Sequence, residues 1–499
     1  MHDLLPHISV QLNNVFDSIR FFMPEIYLGA LFLIVLITDL IFGKTSTTLC
    51  RIVACAGIVV VMFKDLQQVA LILDGPHLIF TNMLLLSRGG VFFKLIIDLL
   101  AFILLLYFTW DDKLSSHQKG LADLYTITIA SIFGLHLMVM AVNLLSIYLA
   151  IEIVSIASYL MVAYRTENAF STEAGLKYVL FGAASSAIML YGISLLYGFS
   201  GSLDLFSAGF IDQLSKVNTI SSSFAVILVL VGIGFKLSFV PIHFWVPDVY
   251  QGAPTPVTAY LSTVPKIGAF ALLFNFLPPF LLLGKWTGFD LSIILAVASI
   301  VTMIAGNFAA VIQSNVKRML AYSSIGHTGF ALMSVLILNQ QGLSALTYYL
   351  FVYALANIGA LVLATYFSNV AGVDNMDGYK GLGLKYPVAG VCFTIILVSL
   401  TGLPVSAGFT GKLFVFSAVY NIYQQSHNIW LVLLMGTGAL TTVVSLFYYI
   451  KIPLNLFLKR ADISEITYKK DYNPLILAVV ISFVLVLLGI FPNFVIKYL

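Results

Sequence analysis

The sequence predicts an all-α, polytopic membrane protein of about 14 transmembrane helices. Three observations predict it. Only 9% of the 499 residues are charged and 60% are hydrophobic, whereas a soluble domain carries roughly 25% charged residues. Apolar runs of ~20 residues, the length a helix needs to cross a bilayer, recur from end to end. These runs are too long and too uniformly apolar for barrel strands, and only helices or closed barrels satisfy their backbone in lipid.

The spans fall near 22–42, 49–70, 91–110, 121–140, 143–163, 174–199, 222–247, 255–280, 289–311, 319–338, 343–368, 387–422, 429–452 and 474–495. The second is interrupted by Lys64 and Asp65. The seventh is broken at Pro241, five residues after Lys236. Proline lacks an amide hydrogen and clashes with the preceding turn, so the Leu237 carbonyl needs a partner from water or a side chain. The twelfth is too long for one straight span and too short for two with a loop, and it holds a natural break from Gly402 through Pro404 to Gly408. Discontinuous helices at matching places in two halves mark transporters built from inverted repeats; the plainer reading is two proline kinks that only shape packing. The expected organisation is 1–120 for spans one to three, 121–280 for a first five-span repeat, 289–452 for a second, and 453–499 for a loop and the last span. The Pro241 and Pro404 breaks are then equivalent.

Lysine and arginine set the orientation. With the N-terminus outward, thirteen fall on inner loops: Lys44, Arg51, Lys113, Lys119, Arg165, Lys317, Arg318, Lys380, Lys385, Lys459, Arg460, Lys469 and Lys470. Seven fall on outer segments: Arg20, Lys64, Arg88, Lys94, Lys216, Lys285 and Lys497. Both termini are expected outside. Met1 to Gln11 has no basic region followed by a cleavage site, so the first span reads as a retained anchor.

Several function classes drop out. The net charge is +3 and no basic tract suits nucleic acid. Cys50, Cys55 and Cys392 lack metal-ligand spacing and read as small buried apolar residues. No phosphate loop, dinucleotide fingerprint, haem or iron–sulfur spacing is present. Any redox step linked to this chain belongs on another.

What remains is a set of charges inside apolar runs: Glu152, Lys236, Lys266 and Lys412. A charge at mid-membrane costs about 2.5–3.5 kcal/mol on insertion scales, and such groups usually mark ion or proton paths. At helical spacing Tyr148, Ser155 and Tyr159 share the Glu152 face, and Gly232 and His243 that of Lys236. Ser262 and Thr263 precede Lys266 by one turn, and Gly408 precedes Lys412, which would leave room for water beside each ammonium. Burial disfavours a charged lysine and a nearby carboxylate restores it. The expected roles are therefore Lys236 as proton holder, Glu152 as its counter-charge, Lys266 as central relay and Lys412 as terminal group. His243 and His327 would carry protons between them. Lys236 and Lys266 lie about ten residues from a span end, too far to snorkel readily. Lys177 and Lys451 are close enough to do so. His136 reads as a packing residue, and Asp98 has no cationic partner by spacing.

At these residues the chain resembles the antiporter-like subunits of respiratory complex I. Gly234-Phe235-Lys236-Leu237-Ser238-Phe239-Val240-Pro241-Ile242-His243-Phe244-Trp245-Val246-Pro247-Asp248-Val249-Tyr250, Gly252-Ala253-Pro254-Thr255-Pro256-Val257-Thr258-Ala259-Tyr260 and Asn315-Val316-Lys317-Arg318-Met319-Leu320-Ala321-Tyr322-Ser323-Ser324-Ile325-Gly326-His327 carry the likeness, which covers roughly residues 120–455. Within the family it is most similar to the N type: Lys412 stands where the M type has glutamate, no lateral helix follows the last span, and Phe181 to Ala187 with Tyr191-Gly192 match. The resemblance implies that Glu152, Lys236, Lys266 and Lys412 are the family's fifth-, seventh-, eighth- and twelfth-span ionisable groups. It implies partners too: sister membrane subunits and a peripheral arm with FMN and iron–sulfur clusters, reducing a quinone bound on other chains. The lipid would be a bacterial inner membrane, with a chloroplast counterpart as the other home. The expected function is a proton-translocating subunit of NADH:quinone oxidoreductase. The rivals are a cation/proton antiporter subunit of the Mrp kind, and a structural subunit whose lysines only pair.

Overall fold

The structure, a computed structural model, describes residues 5–43, 46–117, 120–459 and 471–497. Lys44, Lys119, Arg460, Lys469 and Lys470 of the charge count lie outside these residues. The chain opens with α1 (Leu5–Ile19), α2 (Met23–Phe42) and α3 (Ser46–Leu71). A small antiparallel ribbon, β1 (His77–Ile79) on β2 (Leu84–Leu86), precedes α4 (Arg88–Tyr107) and the one-turn α5 (Asp112–Ser115). Next come α6 (Ala122–Met140), α7 (Leu144–Val162), α8 (Ala169–Ser200), α9 (Ala208–Leu214), α10 (Thr219–Leu237), α11 (Trp245–Gly252), α12 (Thr255–Phe276) and α13 (Pro278–Leu281). The second half holds α14 (Leu291–Val311), α15 (Val316–Val335), α16 (Gln340–Ala371), α17 (Leu382–Lys385), α18 (Pro387–Thr401), α19 (Ala407–Ser426) and α20 (Ile429–Tyr449). The chain closes with α21 (Lys451–Pro453), α22 (Tyr472–Ile490) and α23 (Asn493–Ile496).

Among the described residues, twelve helices are long and apolar enough to cross a membrane by length and composition. Neither α15 nor either piece of the α18–α19 pair is among them. The shortfall of α15 has a physical reason. Nearly all of it is buried, so its serines, Thr328 and His327 meet other helices rather than lipid. The ribbon and α1 were not foreseen. Lys64 and Asp65 do not interrupt the second span: α3 is continuous, with Asp65 buried and Lys64 half-buried. Lys94, counted as an outer charge, is fully buried inside α4.

Helix starts are set by single polar residues. The side chains of Asn143, Asn168, Asn339 and Ser406 accept from the first free amides of α7, α8, α16 and α19. Such a cap contributes about 1 kcal/mol. α12 and α16 form the centre: α12 packs on α4, α6, α10, α15 and α16, and α16 also meets α18, α19 and α22.

Both foreseen breaks are present. α10 ends at Leu237, and Ser238 turns into the left-handed region at φ 60°, which side chains rarely enter. The freed Val240 amide donates to Thr302 Oγ1 on α14 at 2.9 Å. α18 ends at Gly402, φ 82°, and Val405 also has φ 72°. There α19 begins so close to α18 that a Cβ on Gly408 would lie 1.7 Å from the Ser399 carbonyl oxygen. Gly408→Ala should therefore abolish stable accumulation in the membrane. Gly436→Ala, with nothing within 4 Å of the added Cβ, should raise stability by up to about 1 kcal/mol, because alanine favours the helix. Quantifying folded protein in detergent extracts checks both.

Candidate functional site

The break at Pro241 organises the first half of the site. The Leu237 carbonyl, deprived of its amide partner, accepts from Thr328 Oγ1 at 3.0 Å. Lys266 Nζ donates to the same Thr328 Oγ1 at 2.9 Å, to Ser324 Oγ at 2.7 Å and to Ser324 O at 3.1 Å. The lysine on α12 is thus tied through α15 to the open end of α10, one residue past Lys236. Lys266 itself follows Pro265, which frees the Leu261 carbonyl; Tyr250 Oη on α11 donates to it at 3.1 Å. Ser262 and Thr263 are not its neighbours as expected. Ser262 Oγ accepts from Asn357 Nδ2 at 2.6 Å, and every Lys266 bond goes to α15.

Lys236 is surrounded differently. It is 3% exposed, and its Nζ has no hydrogen-bond partner. It faces the rings of Phe235, Tyr159 and Tyr178 at 5.7, 5.8 and 5.8 Å. Ring faces hold a cation with about 0.5–2 kcal/mol. Glu152 lies within its electrostatic reach but does not pair with it, and Glu152 Oε1 is also unpartnered. The Tyr159 hydroxyl has no partner either; its seat requires Gly182, where a Cβ would lie 1.8 Å from Oη. Lys236 sits in the last turn of α10 rather than deep within a continuous span. Gly232 gives no water space, since Met189 fills it. His243 lies in the turn between α10 and α11, stacked on Phe244, with Nδ1 unpartnered.

The second half centres on His327 and Lys412. His327 Nδ1 is 2.6 Å from Tyr349 Oη and Nε2 is 3.1 Å from Tyr449 Oη. Its ring lies tilted 4.8 Å from that of Tyr353, whose hydroxyl donates to Ser324 Oγ at 2.7 Å, the oxygen that also accepts from Lys266. Tyr449 in turn bonds Ser323. Lys412 Nζ donates to Thr401 O, the last carbonyl of α18, at 2.7 Å, and to Thr442 Oγ1 at 3.2 Å. An ammonium at a helix C-terminus also meets the negative end of its dipole. Gly408 again leaves no water space, being closed by Ser399. Water has room elsewhere: two small cavities, both lined by His327, Tyr349 and Lys412, each hold about 10 Å³ for a water centre, close to what one water needs.

Several of the other lysines and acids are paired. Lys177 pairs with Glu173 and with Asp248 at 2.8 Å each, and Arg318 joins Asp248 at 2.7 Å. Lys451 caps the Val311 carbonyl. Asp98 and His136, left without a role from spacing, meet at 3.0 Å, and His136 also reaches Glu25 at 3.2 Å. Lys94 joins Glu25 at 2.7 Å and Asp65 at 2.8 Å. A signal for this second group was present: Lys94 and Asp98 are four residues apart and share one helix face.

The family described as NADH:quinone oxidoreductase/Mrp antiporter, TM, matches residues 141–442. A protein of Chloroherpeton thalassium named NADH-quinone oxidoreductase subunit N 2 is 39% identical over 446 residues, covering 88% of this chain and 86% of that one. A chain in the structure of respiratory complex I from Thermus thermophilus with bound aureothin superposes with TM-score 0.76 at 27% identity, covering 95% of this chain and 98% of that chain. A chain in the structure of the Mrp complex from Dietzia sp. shares the fold, with TM-score 0.77 at 18% identity over 96% of each.

Thr328 joins the open end of α10 to Lys266. Thr328→Val keeps the volume and removes the hydroxyl, leaving the Leu237 carbonyl without its inter-helix donor. Stability should fall by about 1–3 kcal/mol, and Thr328→Ser should restore most of it. Thermal unfolding of the purified protein reads the difference.

Proposed function

The chain belongs to the NADH:quinone oxidoreductase/Mrp antiporter transmembrane family, and from that premise we propose that it is a proton-translocating membrane subunit of NADH:quinone oxidoreductase. The observation that carries the reading is the line of buried groups joined across the helix breaks. Lys266 bonds Thr328 and Ser324, Thr328 bonds the Leu237 carbonyl beside Lys236, and Ser324 leads through Tyr353 to His327. Lys412 borders the same small cavities as His327.

In this reading Lys236 holds a proton against ring faces, with Glu152 as a counter-charge at a distance. Lys266 is the central relay, His327 with its tyrosines connects onward, and Lys412 is the terminal group. His243, in the turn after the break, would exchange protons with the Lys236 side. Electron transfer from NADH through FMN and iron–sulfur clusters to quinone belongs to partner subunits. Its energy reaches this chain as a change of charge or hydration along the row.

The same reading covers the architecture. Residues 121–280 and 289–452 are proposed as inverted repeats, with α6–α12 answering α14–α20. The third long helix of each, α8 and α16, has the same length of 32 residues, and the fourth is broken in both. Lys236 precedes its break while Lys412 follows its own. A bacterial inner membrane with both termini outward is the proposed setting. Removing the buried Lys94 from the outer charges strengthens the inner bias.

Lys236→Ala in the assembled enzyme should cut proton pumping at least about tenfold while the complex still assembles, and Lys266→Ala should do likewise. Vesicle acidification driven by NADH measures this. Intact pumping in Lys236→Ala, Glu152→Ala and Lys266→Ala alike would refute the relay. Sodium-dependent, NADH-independent exchange by a preparation lacking redox subunits would instead favour the antiporter reading.

A further inference from the structure

A second set of ionisable groups lies outside the lysine row and is buried more completely. Glu25 on α2, Asp65 on α3, Lys94 and Asp98 on α4 and His136 on α6 are all 0% exposed. Lys94 Nζ lies 2.7 Å from Glu25 and 2.8 Å from Asp65, and Gln68 Oε1 accepts from it at 2.6 Å. His136 bridges two carboxylates, with Nδ1 3.2 Å from Glu25 and Nε2 3.0 Å from Asp98. Asp65 Oδ1 takes the Lys94 ammonium, whereas Asp65 Oδ2, Asp98 Oδ2 and Glu25 Oε2 have no donor, and Asp98 is an electrostatic neighbour of Asp65.

Counting protons shows what these contacts require. With every acid ionised, Lys94 charged and His136 neutral, the cluster carries −2 in a site with no exposure. A neutral imidazole has one N–H, yet both ring nitrogens face carboxylate oxygens. A proton must lie on the second nitrogen or on the acid facing it. Neighbouring buried carboxylates that each keep an oxygen without a donor disfavour ionising together, which places one more proton on the Asp65 and Asp98 pair. These two protons bring the cluster to zero charge. Among the described residues, no other charged group is a leading electrostatic partner of the cluster. Lys64 points away, over the Tyr27 ring at 5.2 Å. Glu152, on the α7 that packs against α6, acts on Lys236. α12 and α16, which pack on α4, add no charged group to the electrostatic partners of Glu25, Asp65, Lys94 or His136. Lys94 supplies the site's cation.

We propose that Glu25, Asp65, Lys94, Asp98 and His136 form a second proton-binding site, separate from the lysine row, with one proton on the His136 bridge and one shared by Asp65 and Asp98. Its ligand is the proton. α4 and α6 both pack on α12, the helix of Lys266, so this store lies one helix from the central lysine. The site follows from charge and contact alone and does not depend on the function proposed above.

The test is infrared spectroscopy at neutral pH on the purified assembled complex, read as wild-type-minus-variant difference spectra. Wild type should show a protonated-carboxyl C=O band that Asp65→Asn and Asp98→Asn each remove. Both variants should assemble, since asparagine replaces a carboxyl group that is neutral through sharing. Glu25→Gln removes a charge instead, so it should lower the melting temperature more than either. Lys236→Ala should keep the band whether or not it still pumps. Spectra in which both asparagine variants match wild type would overturn the proposal. If one variant fails to assemble, the other decides. If neither assembles while Glu25→Gln does, the charge count is wrong and the proposal falls.

Discussion

A carbonyl released inside a bilayer has no water to turn to, and among the described residues three released carbonyls stand out in this bundle. Leu237 loses its partner to the Pro241 break, Leu261 to Pro265, and Thr401 to the end of α18. Thr328, Tyr250 and Lys412 supply the missing donors. Two of these bonds involve the proposed relay directly, because Thr328 also holds Lys266 and Lys412 is itself a donor. Backbone repair and lysine placement are thus one problem with one solution. That dependence is why α15, polar for a membrane helix, sits almost wholly inside the bundle.

The three lysines meet different chemistry although all are buried. Lys266 is wrapped in hydroxyl and carbonyl oxygens, and Lys412 rests on a helix end. Lys236 has only ring faces, with a carboxylate nearby but not touching. An isolated buried charge costs several kcal/mol and regains that only through good geometry. Of the three, Lys236 is the one whose surroundings compensate a charge least. A small approach or withdrawal of Glu152 therefore changes its balance most.

The helical architecture, both breaks and the buried lysines were legible from the chain, because charge and proline in apolar runs are local signals. So was the unpaired Leu237 carbonyl. The identity of its partner was not, since Thr328 lies 91 residues away on another helix, and spacing within one helix says nothing about contacts between helices. The same limit misread the spaces beside Gly232 and Gly408, which are taken by Met189 and by the Ser399 carbonyl. It also hid the acid–base cluster on α2, α3, α4 and α6. Taken singly, Lys94 looked like a loop charge, Asp98 an orphan and His136 packing; only their assembly from four helices makes them a unit.

The size of the cavities lined by His327 and Lys412 sets what they can hold. A gap that admits about one water has two states, wet and dry. Wet, it offers the Lys412 ammonium one more oxygen beside the His327 and Tyr349 side chains; dry, it offers none. Immobilising a water costs only about 0–2 kcal/mol, so a modest change in nearby charge can tip the occupancy. A sodium ion with its hydration shell does not fit such a space. A space of this size can therefore select by size without any helix moving.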